Sequence, residues 1–296
     1  MASPRAGVVT LARALRLVQW AKNLLVFVPL LTSHRILERE ALTLGVRAFL
    51  AFSLVASAVY LANDLVDLED DRRHPEKRLR PFASGELPVT AAVWLIPLLI
   101  AGAVALAWGL PPQFGMYLAA YVGANLLYSL AAKRVALLDV FMLAGLYTMR
   151  ILAGAAAAEV PVSHWLLAFS MFAFLSLAIA KRFVEVANVA ARAEAGVAGR
   201  GYLAGDGPLL GMLGTAAGYL SVLVFALYIT SRDVVVLYRS PALLWFAVPL
   251  LLYWISRVWL LAHRGALHED PVVFALTDAQ SYAVGTAILL AIWAAT

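Results

Sequence analysis

The sequence contains no cysteine among its 296 residues, which excludes disulfide bonds and thiolate metal sites. Charged residues are also few, at 14% of the chain, while 63% of the residues are hydrophobic. A soluble domain of this composition could not cover its surface with polar atoms. The histidines lack the HExxH spacing of zinc proteases, and no Walker or Rossmann glycine motif follows a strand pattern. Composition therefore argues against an ordinary soluble enzyme.

Apolar runs of about 17–25 residues recur along the chain, and this is the length that a helix needs to cross a bilayer. They predict an all-α integral membrane protein with a single domain over residues 1–296. The expected nine spans are residues 20–34, 43–63, 91–110, 113–131, 137–155, 162–180, 208–230, 241–262 and 277–295.

Basic residues concentrate on one side of this predicted topology. Most of the 23 Lys and Arg residues fall in the N-terminal segment and in the connections on the same side of the membrane. This bias predicts a multi-pass protein whose N-terminus and polar connections lie in the cytoplasm. We expect it in the bacterial cell membrane. We expect no nucleic-acid partner, because the pattern leaves no soluble basic face. The N-terminal segment also lacks the apolar core of a cleavable signal peptide.

The connection after the second span is rich in acidic and basic residues and reads NDLVDLEDDRRHPEKRLRPFASGELP (63–88). A helix turns about 100° per residue, so Asp64, Asp67 and Asp71 would fall within an arc of about 60°. Three like charges on one face repel each other, which a purely structural helix does not need. Oxygen ligands directed at one point suit Mg²⁺, so we predict that these three residues bind it. The alternative is a solvated helix end with mixed charges.

A diphosphate bound to that metal would need charge-assisted donors on its other side. The same connection supplies cations and small polar residues directly after the carboxylates. Alternatively, each of these basic residues could serve only to set the orientation of the protein in the membrane. The residues of this connection that we predict to bind substrate are Asn63, Arg72, Lys77, Arg80 and Ser84.

A second polar segment follows the sixth span and reads AIAKRFVEVANVAARAEAG. Lys181, Glu185, Asn188 and Arg192 would share one helix face. An ordinary i,i+4 pair between Lys181 and Glu185 is the alternative, and it would contribute only about 0.2–0.5 kcal/mol. We predict Lys181 and Glu185 as catalytic residues, with Arg182 and Asn188 binding substrate.

Further polar residues lie within or beside the spans. Arg150 lies deep in the fifth span, which begins near Asp139, and an arginine at that depth should face a cavity or a partner. Near the last span, Asp278 and Ser281 appear one turn apart and are favoured over Asp270 as functional residues. The other residues predicted to bind substrate are Lys22, Asn23, Tyr128, Lys133, Asp139 and Arg150.

The pattern Asn63-Asp64-x-x-Asp67-x-x-x-Asp71 resembles the NDxxDxxxD signature of the UbiA superfamily of intramembrane prenyltransferases. The following RPFASG resembles the continuation of that signature, and the resemblance covers essentially the whole chain. It implies a helical barrel around a central cavity that opens to the cytoplasmic side, with a lateral opening to lipid.

Superfamily members with aromatic acceptors usually carry a second DxxxD motif after the sixth span, and paired aspartates are missing there in this sequence. Four segments instead resemble the decaprenyl-phosphate phosphoribosyltransferase branch: QWAKN, HPxKxxRP, KRxxE and DPVVFALTD. That resemblance implies Mg²⁺-dependent transfer of a 5-phosphoribosyl group from phosphoribosyl diphosphate (PRPP) to a polyprenyl phosphate. The product would feed the synthesis of cell-envelope arabinose precursors.

The same resemblance suggests roles for individual residues. Lys77 and Arg80 would hold the diphosphate, and Lys22 and Arg150 the phosphate of the acceptor or of the donor. A ribosyl donor also carries a 5-phosphate and hydroxyl groups, and it would use polar groups where an isoprenyl chain would use apolar walls. Those polar groups would be Lys181, Arg182, Glu185 and Asn188.

Two other functions stay open. The first is a prenyltransferase that moves an isoprenyl chain from a prenyl diphosphate to an aromatic or lipid acceptor. The second is a transporter with an acidic metal site, although a transporter should carry its ionisable residues near the membrane midplane and show an internal repeat. The sequence also leaves open whether the protein forms a homo-oligomer.

Overall fold

The computed structural model describes almost the whole chain, at residues 4–73, 77–192, 195–197, 199–267, 270–275 and 277–296. The described residues are mainly helical and fall into two compact units. The first unit comprises residues 1–129 and 149–161, and the second comprises residues 130–148 and 162–296.

The first unit is built around one long helix of 28 residues. Its helices α1 to α6 are Pro4–Ala14, Val28–Thr32, Arg39–Val66, Leu68–Arg73, Val89–Ala107 and Pro112–Leu130. A 3-10 segment, Leu17–Phe27, joins α1 to α2. The buried face of α3 consists largely of alanine, glycine and serine, so α5 and the 3-10 segment pack closely against it.

Helix α7, Leu138–Ala157, contributes its C-terminal part to the first unit. Gly154 of this part lies so close to the 3-10 segment that a Cβ atom there would be 2.0 Å from the carbonyl oxygen of Val26. Only glycine fits such an approach of two backbones. The contact places the turn of α7 that carries Arg150 beside the turn that carries Asn23.

The second unit begins with the N-terminal part of α7. Its other helices, α8 to α13, are His164–Ala191, Gly207–Ile229, Arg232–Leu237, Ala247–His263, Pro271–Ala275 and Ala279–Ala295. Helices α8, α9 and α11 form its core. The indole N–H of Trp259 donates to Ser176 Oγ (3.0 Å), and that hydroxyl donates to the carbonyl of Gly214 (2.7 Å), so one residue from each of the three helices is joined.

All nine predicted spans coincide with helical segments. Within the described residues, six helices are long and apolar enough to cross a membrane, and the number rises to seven if one bent pair counts as a single span. That pair is Gly7–Ala14 with Leu17–Thr32, which meet at 47°. The protein is therefore a multi-pass membrane protein, while the nine-span topology, its orientation and the cytoplasmic cavity remain predictions.

Candidate substrate and metal site

The acidic motif lies at the C-terminal end of α3. At 1.5 Å per residue, 28 residues extend about 42 Å, which exceeds the about 30 Å of a hydrocarbon core. The helix ends at Val66, and Asp67 separates it from α4. The expectation of one continuous helix through the motif is therefore wrong at Asp67. Two hydrogen bonds, from Asp67 N to Asn63 O (2.9 Å) and from Asp71 N to Asp67 O (2.8 Å), keep the helical register across the break.

Because the register is kept, Asp64 and Asp71 point in the same direction. Both are buried, with 4% and 2% of their surface exposed, and Arg80 Nη1 donates to both, to Asp71 Oδ2 at 2.6 Å and to Asp64 Oδ1 at 3.2 Å. Asp67 is half-buried, whereas the two acidic residues that follow Leu68 are exposed. Burial of a carboxylate is costly unless a cation compensates it, and the guanidinium group of Arg80 does so for both.

Arg16 is a further partner of Asp64 that sequence reasoning missed. Its guanidinium group donates to Asp64 Oδ1 and lies over the ring of Tyr60, 4.8 Å from the centroid. The two ion-paired residues are 48 positions apart. The spacing of residues along one helix therefore could not indicate this pair. The sequence identified Arg16 only as one of the basic residues that set the orientation in the membrane.

The loop after α4 anchors Arg80 through apolar and polar contacts. Phe82 is buried in the core of the first unit, and Arg13 of α1 donates to the carbonyl of Leu79 (2.5 Å) and to Glu86 (2.8 Å). The predicted ligands on this loop are less enclosed: Lys77 and Ser84 are exposed. Arg72 lies on the exposed face of α4, where it pairs with Glu69 at 3.0 Å.

The motif residues fit a magnesium ion that is shared with a substrate. Within the part of the chain that the structure describes, no group of three acidic or histidine residues could hold a metal by itself. Mg²⁺ usually takes only one or two carboxylates and completes its shell with water and substrate phosphates. Asp64 and Asp71 provide the two buried carboxylates, and Asp67 lies between them in the chain as a third oxygen source.

Arg150 is buried, at 4% exposure, and contacts protein rather than lipid, as predicted. Its Nε donates to Asn23 Oδ1 (2.9 Å) and its Nη2 to the hydroxyl of Tyr121 (3.1 Å). The guanidinium group also lies over the rings of Phe52 and Tyr121, at 5.4 and 5.0 Å from their centroids. These four contacts, all with neutral side chains, orient the guanidinium group.

Three further residues predicted to bind substrate are Lys22, Tyr128 and Lys133. Lys22 is buried next to Asn23, whose amide donates to Ser53 Oγ at 3.0 Å. Tyr128 is half-buried near the end of α6. Lys133 is half-buried in the 3-10 turn Ala132–Arg134, which belongs to the second unit.

In the second unit, the predicted residue Lys181 donates to Asp270 Oδ2 at 3.0 Å. Asp270 Oδ1 accepts from the hydroxyl of Tyr147 (3.3 Å) and from the backbone N–H of Val272 (3.1 Å). Tyr147 in turn stacks on Phe174, with ring centroids 5.1 Å apart. Two sequence segments that are 89 residues apart thus meet in one polar cluster.

The sequence pattern favours Asp278 and Ser281 over Asp270 as functional residues, whereas the structure gives these two residues a capping role at α13 and places Asp270 in the polar cluster. Asp278 is the N-cap of α13 and accepts from the backbone N–H (2.7 Å) and the hydroxyl (2.9 Å) of Ser281. Arg257 donates to both of its carboxylate oxygens, at 2.7 and 2.9 Å. These bonds, that of Arg257 foremost, lower the pKa of Asp278 below its ordinary value. The pair is a helix cap.

A second charged network surrounds Arg182. Its Nε donates to Asp139 Oδ2 (2.6 Å) and its Nη1 to Glu185 Oε2 (2.5 Å), and both Arg182 and Asp139 are fully buried. Asp139 Oδ1 accepts from the hydroxyl of Tyr202 at 2.5 Å. Burial, helped by this hydrogen bond, raises the pKa of Tyr202 above its ordinary value.

This network changes the expected grouping of the residues on α8. Lys181 pairs with Asp270 and Glu185 with Arg182, so the recorded ion pairs differ from the simple i,i+4 pair that the sequence left open. Glu185 is half-buried, whereas Asn188 is exposed. Asn188 therefore lies at the edge of this polar region.

Comparisons with known proteins identify the family and support the fold. A family model described as the UbiA prenyltransferase family matches residues 24–294, so the chain belongs to that family of membrane-embedded transferases. The fold is similar to a UbiA homolog from Archaeoglobus fulgidus solved bound to GPP and Mg²⁺. The TM-score is 0.71 at 16% identity, with 96% of this chain and 99% of that chain covered.

Sequence comparison finds relatives whose identity to this chain is higher than that of this solved structure. The chain is 40% identical to the uncharacterized protein y4nM of Sinorhizobium fredii over 93% of its length, but it spans only 53% of that protein. It is 38% identical to the nodulation protein NoeC of Azorhizobium caulinodans, covering 92% of this chain and 88% of NoeC. It is also 32% identical to the decaprenyl-phosphate phosphoribosyltransferase of Mycobacterium tuberculosis, with the same two coverages of 92% and 88%.

Proposed function

We propose that the protein transfers a 5-phosphoribosyl group from PRPP to a polyprenyl phosphate such as decaprenyl phosphate, with release of diphosphate. The observation that carries this proposal is the hydrogen bond between Lys181 and Asp270. It joins the KRFVE and DPVVFALTD segments, which both resemble the phosphoribosyltransferase branch. The similarity to a relative of that name over 92% of the chain supports the same reading.

The polar cluster of the second unit suits a ribosyl donor. PRPP carries two ribose hydroxyls and a 5-phosphate, which need hydrogen-bond acceptors and a cation. Lys181 supplies the cation, Asp270 and Glu185 supply carboxylate acceptors, and Tyr147 supplies a hydroxyl. An isoprenyl chain beside them would remove water from these polar groups without offering hydrogen bonds in its place, which is costly.

The acidic cluster of the first unit suits the diphosphate of the donor. Asp64 and Asp71, with Asp67, would hold Mg²⁺, and this ion would neutralise charge on the departing diphosphate oxygens. Arg16 and Arg80 supply guanidinium groups to the same region, and guanidinium groups bind phosphate oxygens in a bidentate manner. We assign Lys77, on the exposed loop, to the outer diphosphate oxygens.

The reaction needs no strong general base. An oxygen of the acceptor phosphate is already anionic, and it forms the new bond to C1 of the ribose. The bond from C1 to the diphosphate oxygen breaks, and its electron pair leaves with the diphosphate. We assign Arg150 and Lys22 to a phosphate of the acceptor or of the donor, with Asn23 orienting the guanidinium group.

A prenyl-diphosphate donor is the second candidate. It is supported by the match of residues 24–294 to the family model described as the UbiA prenyltransferase family. We further propose that the site faces the cytoplasm, because PRPP is water-soluble and the basic residues of the motif follow the positive-inside pattern. The product would then be used in the synthesis of cell-envelope arabinose precursors.

The two donors can be separated with purified protein in detergent. The protein is incubated with Mg²⁺ and decaprenyl phosphate, once with labelled PRPP and once with labelled geranyl diphosphate. We expect labelled lipid only from PRPP, and none when EDTA replaces Mg²⁺. Geranyl diphosphate with an aromatic acceptor serves as the comparison reaction. Product from the isoprenyl donor alone would overturn the proposal.

A further inference from the structure

The chain after α8 forms a small hairpin that the sequence pattern did not reveal. Its residues are 195–197 and 199–204, with Gly196 and Leu203 forming an antiparallel bridge. Backbone hydrogen bonds run from Val197 N to Tyr202 O (3.0 Å) and from Ala204 N to Ala195 O (3.1 Å). We call this segment the hairpin.

The hairpin packs directly on the backbone that precedes α7. A Cβ atom on Gly201 would lie 2.7 Å from both the carbonyl oxygen of Arg134 and the amide nitrogen of Ala136. Next to it, the side chain of Tyr202 is buried, at 2% exposure, and its hydroxyl accepts from Leu137 N at 2.9 Å. The hairpin is thus held by a close backbone approach and by one buried hydroxyl.

The same hydroxyl begins a chain of hydrogen bonds that ends at the predicted donor site. Tyr202 donates to Asp139 (2.5 Å), Asp139 accepts from Arg182 (2.6 Å), and Arg182 donates to Glu185 Oε2 (2.5 Å). Among the described residues, the structure records no partner for the other carboxylate oxygen of Glu185, whose side chain is 33% exposed. The chain therefore fixes one oxygen of Glu185 and leaves the second to face a ligand.

We propose that Tyr202 is a positioning residue of the donor site, which sets the orientation of Glu185 through Asp139 and Arg182. The identity of the ligand, the ribosyl hydroxyls of PRPP, rests on the proposed function. The positioning itself rests on the hydrogen bonds alone. The raised pKa of Tyr202 keeps its hydroxyl protonated, so it remains a donor to Asp139 across the physiological pH range.

Removal of the Tyr202 hydroxyl should change the position of the Glu185 side chain. Asp139 Oδ1 would lose its donor in a fully buried place, and an unsatisfied buried charge attracts the nearest cation. The nearest cations are Arg182 and Arg200, whose Nη1 is 3.9 Å from Asp139 Oδ2. A shift of Arg182 towards the vacated oxygen would weaken its hydrogen bond to Glu185.

The test is the Tyr202→Phe variant of the full-length protein, assayed with PRPP and decaprenyl phosphate. We expect the KM for PRPP to rise about five- to tenfold, with kcat and the KM for the lipid changed less than about twofold. The Glu185→Gln/Tyr202→Phe double variant should have the same KM for PRPP as Glu185→Gln alone, because the tyrosine acts through the glutamate. Tyr219→Phe is the matched control, since that hydroxyl bonds Ser256 on an exposed surface. Independent, multiplying effects of Tyr202 and Glu185 would refute the inference.

A second variant and a second measurement keep the test decisive. Gly201→Ala pushes the hairpin off the 134–136 backbone but keeps the tyrosine, and we expect the same selective rise in the KM for PRPP. Hydrogen–deuterium exchange of peptides from the hairpin should be faster in both variants than in Tyr219→Phe. If the wild type accepts only an isoprenyl diphosphate, the proposed function fails, and the exchange data still decide whether Tyr202 holds the hairpin. Unchanged exchange together with an unchanged donor KM would overturn the positioning role.

Discussion

The arginine–carboxylate cluster around Arg80 in the first unit and the one around Arg182 in the second differ in which partner is exposed. In the first unit the carboxylates of Asp64 and Asp71 are buried, while the side chains of Arg16 and Arg80 are 26% and 29% exposed. In the second unit Arg182 is 1% exposed, and the exposed partner is Glu185 at 33%. A half-exposed cation can release a carboxylate and bind an incoming phosphate. A buried cation cannot move away without leaving its carboxylate partner buried and uncompensated.

The comparison suggests two different roles for the ion pairs of this protein. One cluster can bind a ligand, and the other supports a neighbouring side chain. The first cluster has the properties of a ligand site, because an anionic substrate with its metal can take over the interactions that the cations and carboxylates now make with each other. The second has the properties of a scaffold, because Arg182 and Asp139 are both fully buried and Arg182 hydrogen-bonds both Asp139 and Glu185. Five expected outcomes, from the largest effect to the smallest, test this distinction.

Removing a buried carboxylate of the first cluster should have the largest effect. We expect Asp64→Asn or Asp71→Asn to lower the transfer rate by at least about 100-fold, because the metal and the leaving diphosphate lose charge stabilisation. Asp67→Asn should follow in the same direction. The measurement is the initial rate as a function of Mg²⁺ concentration, with size-exclusion chromatography to check folding. Asp70→Asn, on the exposed side, is the control, and wild-type rates in the Asp64 and Asp71 variants would remove the metal assignment.

Removing the arginines should separate stability from binding. We expect Arg182→Ala to lower the free energy of unfolding by about 3–5 kcal/mol, because Asp139 would be left buried without its cation. Arg80→Ala should cost less stability, because the Arg80 side chain is 29% exposed and water can enter its place beside Asp71, while Arg16 remains beside Asp64. It should also raise the KM for the donor. Thermal unfolding in detergent and steady-state kinetics measure the two effects. Equal loss of stability in both variants would contradict the division into scaffold and ligand site.

Residues that reach the donor should act on one substrate only. Lys181→Ala and Glu185→Gln should each raise the KM for PRPP about 10- to 150-fold, the equivalent of about 1.5–3 kcal/mol for a charge-assisted hydrogen bond. The KM for the lipid phosphate should stay nearly constant. Asn188→Ala, at an exposed position on the same helix, should change both constants little. A selective defect in lipid use would show that the two substrates have been assigned to the wrong residues.

Calorimetric titration gives a binding measurement without turnover. With Mg²⁺ present, PRPP should bind saturably and geranyl diphosphate should not, because the polar groups around Lys181 would be desolvated by an isoprenyl chain. The Lys181→Ala protein serves as the comparison for PRPP. Saturable binding of geranyl diphosphate alone would favour the prenyltransferase alternative.

The smallest effect concerns the cap of α13. The lowered pKa of Asp278 means that its carboxylate stabilises the folded state at neutral pH, and that this contribution is lost as the pH falls below its unfolded value of about 3.9. We expect Asp278→Asn to cost about 1 kcal/mol at pH 7 and progressively less in acid, because an amide can still cap the helix but cannot form the ion pair with Arg257. Unfolding of the variant and the wild type at pH 7 and at the lowest pH that both tolerate checks this. A difference in stability that stays constant with pH would refute it, and catalysis should hardly change.

The sequence predicted those parts of the site that depend on local periodicity. Asp64 and Asp71 share a face because the helical register survives the break at Asp67. Residues that are adjacent in sequence can still point in different directions, because each step along a helix turns by about 100°. Lys181 thus contacts Asp270, whereas Arg182 points into the core. Helix positions were predicted well because long apolar runs determine them.

The partners of these residues could not be predicted, because they are tertiary contacts between distant segments. Arg16 reaches Asp64 across 48 residues, Asp270 reaches Lys181 across 89, and Tyr202 reaches Asp139 across 63. Nothing in local spacing records such pairs. Among these partners, Asp270 alone lies in a recognisable motif, since it is the first residue of the DPVVFALTD segment.

The approach of Gly154 to the carbonyl of Val26 has a consequence for anyone who redesigns this protein. The separation between Arg150 and Asn23 is determined by two main chains in contact, one turn away, and not by the side chains around them. Substituting the residues that line this region will therefore alter its polarity and shape while leaving its spacing unchanged. A library that seeks new phosphate-bearing ligands should vary Tyr121 and Phe52 and keep the glycine constant.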